Sequence, residues 1–281
     1  MSPYEAALDL LRRLDPTKVE QNLNQLIKLD PDLAEDLLAS VDTPLKVKKD
    51  PNASQKEFLC CDYNRDIDSH RSPWSNNYVP ALSAQELEES PFPSDAIRAV
   101  EVLANDSFDI YRDLYYEGGV SSVYLWDLGD DADADGAPND FAGVVLLKKG
   151  ENSRSSWDAI HVFEVLQEGS TQSQVSYRIT TTIILHLNSE KKMTLAGNLT
   201  RQTERSFALP GHLSPEQSGI WHVSNLGSVI EEVESQMRNQ LEVVYFEKTK
   251  DIYRELRDSS QEATTQNRSV HEEVVKGLQG M

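Results

Sequence analysis

Cysteine is almost absent: the 281 residues hold two, Cys60 and Cys61, and neighbouring cysteines rarely reach the geometry of a shared disulfide. A disulfide-stapled secreted scaffold is thereby excluded, and the pair reads as reduced thiols of a cytosolic protein. Long apolar runs are missing as well. Stretches such as 144–147 and 183–185 fall far short of the roughly 20 residues that a membrane-spanning helix needs. The opening residues, MSPYEAALDLL, have no basic region leading into an apolar stretch, which predicts no secretory signal. Glycosylation-like triplets at Asn52, Asn105, Asn198 and Asn267 then carry no weight. Positive charge is scarce too, with 27 Lys and Arg against 47 Asp and Glu and a net charge of −20. Such a balance repels nucleic-acid phosphates and anionic lipid as general partners and favours basic partner segments.

The signatures of chemistry are also lacking. The sequence contains no GxxxxGK[ST] phosphate loop and no CxxC, and GGVSS does not fit the GxSxG frame. His271 and Glu272 open like HExxH, but Val275 stands where the second histidine would be needed, leaving zinc one ligand. Asp131, Asp133, Asp135 and Gly136 match the first half of a calcium loop. Its twelfth position, where a bidentate Glu should sit, is Ala142, and the flanks read as strands and not helices. The preferred reading is a solvated acidic hairpin insertion; the alternative is a calcium-binding or enzymatic module using the acidic loop 131–140. No enzyme activity, cofactor or metal is expected.

What is present is a globular composition, with 38% hydrophobic and 26% charged residues. Residues 1–42 read as three short helices with stripes Ala7/Leu10/Leu11/Leu14, Val19/Leu23/Leu26/Ile27 and Leu33/Leu37/Leu38/Val41. Ser2, Asp15 and Asp30 each precede a proline, the pattern of an N-cap followed by proline at the first helical position, and Ser2 with Glu5 completes a capping box. Residues 43–93 are rich in Pro, Asn, Ser and Asp and predict irregular structure with one or two short strands. Ser94 caps a helix over 94–118 that stops at Gly118 and Gly119. Five β-branched and aromatic segments over 119–202 predict an antiparallel meander, and residues 203–219, with two prolines and two glycines, a loop.

A long amphipathic helix is expected over 220–257, spanning roughly 55 Å at 1.5 Å per residue. That is too long for a small domain to cover, so part of its stripe asks for another surface. Arg238, Lys248, Lys250, Arg254 and Arg257 gather on its second half, against the acidic trend. Residues 258–281 read as a polar linker and a short amphipathic segment. There Val270, Val274, Val275 and Leu278 fall within about 140° of helical arc.

Several strings go beyond what spacing can generate. ALDLLRRL, DLLASVDTPLKV, LCCDYNRDIDSHRSPWSNNY, FDIYRDLYYEGGVSSVYLWDL, FAGVVLLKK, WDAIHVFEV and YFEKTKDI closely resemble, in the same order over residues 4 to 257, the beta-subunit family of actin capping protein. The resemblance implies an α+β fold: an N-terminal helical stalk, a five-stranded antiparallel sheet, a long C-terminal helix across it and a mobile amphipathic tail. It implies an obligate heterodimer with a similar alpha subunit, bound calcium-independently at the barbed end of the actin filament in the cortical cytoskeleton. By position it assigns actin contact to Arg238 and to the tail residues Val270, Val274, Val275 and Leu278, with Gln236 replacing a lysine of animal relatives. It assigns regulators carrying a basic capping-protein-interaction motif to Arg13, Asp42, Asp62 and Tyr78, and adds phosphoinositides as partners. The acidic insert 129–140 and the segment 203–219 look longer than is usual for that family.

Overall fold

A computed structural model of the chain describes residues 6, 7, 10, 18–34, 37, 44–116, 118–128, 140–149, 155–168, 174–188, 194–211 and 213–242. The chain divides into two compact units, Met1–Ile230 and Glu231–Met281.

At the N-terminus, helix α1 (Val19–Leu29) is followed by a 3-10 turn, Pro31–Leu33. Ala7, Leu23 and Leu37 form one buried cluster, with Leu26, Ile27 and Leu33 packed against it. Each of the three takes its place from a different expected stripe, so the 3.6-residue period did locate this core. Asp30 takes the expected N-cap position, with Pro31 the first residue of the 3-10 turn, but without a side-chain cap. At φ −141° and ψ 89°, its backbone N–H returns to Leu26 O at 3.0 Å, closing α1. The caps at Ser2 and Asp15 lie outside the described residues.

Residues 43–93 hold more order than their composition predicts. A hairpin joins β1 (Lys46–Asp50) to β2 (Lys56–Cys60), and a three-stranded sheet joins β3 (Arg65–Asp66), β4 (Ser69–Arg71) and β5 (Tyr78–Val79). Helix α2 (Ala84–Glu89) starts from a capping box in which Ser83 and Glu86 accept each other's backbone N–H. These strands are two to five residues long, too short for alternation to announce them.

Helix α3 (Asp95–Tyr115) begins where expected. The Ser94 hydroxyl accepts from Ile97 N at 3.3 Å, and Ile97, Val100, Glu101, Ala104, Asn105 and Phe108 form its buried face. It ends through Gly118 at φ 77°, a left-handed conformation that glycine adopts without penalty. Gly119 follows because a Cβ there would run into the Lys148 carbonyl.

The meander is observed as β6 (Val120–Asp127), β7 (Phe141–Lys148), β8 (Ser155–Glu168), β9 (Gln174–Asn188) and β10 (Thr194–Ala208), antiparallel in the order β10-β9-β8-β7-β6. Every residue of β7 is buried. On one face Val144 and Leu146 pack with Tyr124 of β6, Leu45 and Leu59.

The expected loop 203–219 is corrected at both ends. Residues 203–208 continue β10, pairing Phe207 with Val175, and the Phe207 ring meets Tyr177 edge-on at 5.5 Å. Helix α4 (Pro215–Glu242) then starts five residues earlier than expected. Pro215 is its first residue, and Ser214 and Gln217 exchange backbone bonds at 3.3 and 3.1 Å in a capping arrangement. Proline here marks a beginning and not a break. Residues 243–257 of the expected helix, and the tail, lie outside the described residues.

Candidate functional site

The string LCCDYNRDIDSHRSPWSNNY builds a hydrogen-bonded knot. Asn64 closes the 3-10 turn Asp62–Asn64 by accepting from Cys61 N at 2.9 Å, while its amide donates to Arg71 O at 2.9 Å and Leu59 O at 3.4 Å. One side chain thus joins β2 to β4. In the loop that follows, Ser72 Oγ accepts from Trp74 N at 3.2 Å, Asn76 takes φ 59°, and Arg98 of α3 donates to Pro73 O at 2.8 Å. Lys56 sits 3.3 Å above the Trp74 ring and reaches Asp109 at 3.1 Å, while Trp74 Nε1 donates to Glu57 O at 2.9 Å.

Beneath the knot lies a buried ion cluster. Arg71 donates two bonds to Glu101, at 2.8 and 2.7 Å; Arg98 pairs with the same carboxylate, and Leu125 N of β6 donates to it at 2.7 Å. The Arg71 guanidinium is held above its ordinary pKa: burial lowers it, and the hydrogen bond and charge of Glu101 outweigh that. Asn105 adds a two-way bridge to the backbone of Val123, at 2.9 Å in each direction. Glu101 and Asn105 therefore fasten knot, helix and sheet together. Thirty residues separate Arg71 from Glu101, and no local spacing could have announced the pair.

A second buried pair joins Lys148 of β7 to Asp158 of β8 at 3.1 Å, and Asp158 also accepts from Leu45 N at 2.8 Å. Cys60 and Cys61 are free, with burial pushing their thiols up to about 11 and about 12. Neither forms a reactive thiolate near neutral pH. His70 is pushed down to about 4 by burial and by Lys48, whose ammonium lies 3.0 Å from His70 Nδ1 and donates to Val79 O at 3.0 Å.

The residues assigned by resemblance fall in different surroundings. Asp62, just before β3, has a side chain 90% exposed and only a 3.8 Å contact with Arg65. Tyr78 lies in β5 of the same small sheet but is 4% exposed. Its hydroxyl donates to Pro91 O at 2.9 Å and its ring meets Phe92 edge-on at 5.5 Å, so the ring face is covered. Arg238 is ion-paired with Glu234 one turn earlier, and Gln236 donates to Glu232 at 3.0 Å. Arg13, Asp42, Val270, Val274, Val275 and Leu278 lie outside the described residues, as does most of the acidic loop 131–140.

Among the described residues, no group of three or more His, Cys, Asp and Glu is placed to hold a metal, and no helix is long and apolar enough to cross a membrane. Strand β10 leaves one edge of the five-stranded sheet open. Among the described residues it has a strand neighbour on the β9 side alone, and Asn198, Thr200, Gln202, Glu204, Arg205, Ser206 and Ala208 are exposed. The opposite edge, β6, is covered by α3: Asn105 bonds both the N–H and the carbonyl of Val123 at 2.9 Å, and Leu125 N donates to Glu101 at 2.7 Å.

The buried polar scaffold, the meander open at one edge and the long helix make an α+β fold. A solved structure shares it: the homodimeric actin capping protein alpha subunit from Plasmodium berghei, with a TM-score of 0.54 and 16% identity over 91% of this chain and 95% of that one. The model of the family "F-actin capping protein, beta subunit" matches residues 4–253. The F-actin-capping protein subunit beta of Saccharomyces cerevisiae is 56% identical, over 99% of this chain and 98% of the relative, and that of Candida glabrata is 55% identical over the same shares. This chain belongs to the F-actin capping protein beta-subunit family, which is not a family of enzymes.

Proposed function

We propose that this chain is the beta half of a heterodimer with a capping-protein alpha subunit, and that the dimer occupies the barbed end of the actin filament and blocks subunit addition and loss. The observation that carries this reading is identity above one half along nearly the whole length of relatives that bear the name. The open edge of β10 supports it physically. A 15-residue edge strand is a template for another chain, and a similar meander in the alpha subunit would continue the sheet.

On the filament side, Arg238 and the amphipathic tail residues Val270, Val274, Val275 and Leu278 provide the contacts. Arg238, held by Glu234 yet one-third exposed, steers encounter with an acidic filament. On the regulatory side, the exposed carboxylate of Asp62 is suited to a basic, extended ligand, while the covered Tyr78 acts by holding β5 in place. The dimer works without calcium at cortical actin.

The test is seeded actin elongation with the heterodimer, with and without a calcium chelator. Capping is expected in both. Arg238→Glu should lower the association rate at low salt, a gap that shrinks as salt rises. Deleting residues 268–281 should leave unfolding unchanged and weaken capping by about ten- to several-hundred-fold, chiefly through faster dissociation. A deletion that leaves dissociation as slow as in the full-length dimer overturns the tail assignment.

A further inference from the structure

Where the first turns of α4 meet the sheet, the contact includes one chain of polar atoms inside an aromatic cluster. Asn225 Nδ2 approaches the Tyr177 hydroxyl at 3.4 Å, and that hydroxyl lies 2.8 Å from Nδ1 of His222. His222 is 2% exposed. Its ring packs edge-on against Phe141 of β7 at 5.2 Å and against Trp221 at 5.0 Å, and lies 6.1 Å from the Tyr177 ring. The three residues come from two elements, α4 and β9, so the chain of bonds ties helix to sheet.

The direction of the bonds follows from the donors available. The asparagine amide nitrogen donates to the phenol oxygen, and in the Nε2–H tautomer of His222 the phenol donates its own proton to Nδ1. Nδ1 is then an acceptor, and the imidazole is neutral with its proton on Nε2. A second proton would enter at Nδ1, the atom that already receives one. The phenol would have to turn its O–H away, and an imidazolium would be left among Phe141, Trp221 and Tyr177.

We propose that the Asn225–Tyr177–His222 chain is an acid-released latch, which seats the N-terminal half of α4 on the sheet near neutral pH and loosens it as pH falls.

The groups around the histidine all point this way. The titratable group that contacts it from the sheet is the Tyr177 phenol, which burial holds above its ordinary pKa against the lowering effect of Asn225. From β7 the contact is Phe141, and from α4 it is Trp221. Burial pushes the imidazole down to about 4, and among the described residues no carboxylate offsets it. The sign is that of a folded-state pKa below the unfolded one. Protons bind the opened state first, so stability is full above about pH 6.5 and is lost progressively between 6.5 and 4. With those two values, the opening equilibrium rises about eightfold between pH 7 and pH 5.5.

Hydrogen exchange of the intact heterodimer, corrected for the intrinsic rate at each pH, reads this directly in peptides covering residues 215–230. Wild type should open about eightfold more at pH 5.5 than at pH 7. His222→Asn keeps a side-chain acceptor and cannot titrate, so its opening should be flat over the same range relative to wild type. Imidazole NMR of the wild-type heterodimer supplies the check: the signal that His222→Asn removes, or, if that variant fails to fold, the signal told apart from that of buried His161 by its contacts with the Phe141 and Trp221 rings, should stay neutral at pH 5.5. A His222 that titrates at or above 6.5, or equal pH slopes in wild type and variant, overturns the latch.

Discussion

Strands β7 and β10 belong to one sheet, yet they obey different rules. β7, FAGVVLLK, is buried at all eight positions, and its composition follows: covered on both faces, it has no solvent side on which polar residues could alternate. β10, TLAGNLTRQTERSFA, is nearly twice as long and carries Thr, Arg, Gln and Glu over its exposed half. A strand at the centre is defined by what packs above and below it. A strand at the edge is defined by what it could still pair with, and its unpaired backbone groups are a template for another chain.

The largest effect that would break this contrast is on the whole molecule. Expressed without an alpha subunit, the chain should be insoluble or misassembled, and co-expression should bring it into solution. A soluble monomer with one cooperative unfolding transition would mean that β10 needs no partner. Next in size is a matched pair of substitutions in the heterodimer. A Cβ on Gly143 of β7 would come 2.6 Å from Phe163 Cζ, so Gly143→Val should lower stability by about 3 kcal/mol through overpacking. Gln202→Val on exposed β10 should change it by no more than about 0.5 kcal/mol. Equal losses in urea midpoint would show β10 to be packed as tightly as β7. The smallest effect lies outside both strands, at the turn between β3 and β4. Ile67, 54% exposed, holds φ 49° there, a left-handed conformation that costs a β-branched residue roughly 1–2 kcal/mol. Ile67→Gly removes that strain but adds flexibility to the unfolded chain, so a net gain of about 0.5–1 kcal/mol is expected, read as a higher urea midpoint. A loss would show that the Ile67 side chain stabilises the turn by more than its backbone strains it.

How far the sequence alone reaches can be traced element by element. Local signals were enough wherever one segment carries its own instruction. Ser94 caps α3, Gly118 ends it, the helical stripes supplied Ala7, Leu23 and Leu37, and the five β-branched segments are the five strands. Two further starts were readable in the same terms and were missed: Ser83 with Glu86 before α2, and Ser214, Pro215 and Gln217 before α4. The second is hidden because Pro210 and Pro215 read, by composition, as a loop. The strings CDYNRD and SPWSN identified the family without showing why they have this form. That reason is tertiary. Asn64 must bridge β2 and β4, and Glu101 must gather Arg71, Arg98 and the backbone of Leu125, partners that lie far apart in sequence and meet only when the chain closes. Exposure was decided in the same way. Asp62 and Tyr78 looked alike as candidates for a cationic ligand, but packing leaves the carboxylate in water and sets the ring against Phe92. A short polar turn needs few neighbours to define it. A buried charge or a covered ring is defined by neighbours that only folding provides.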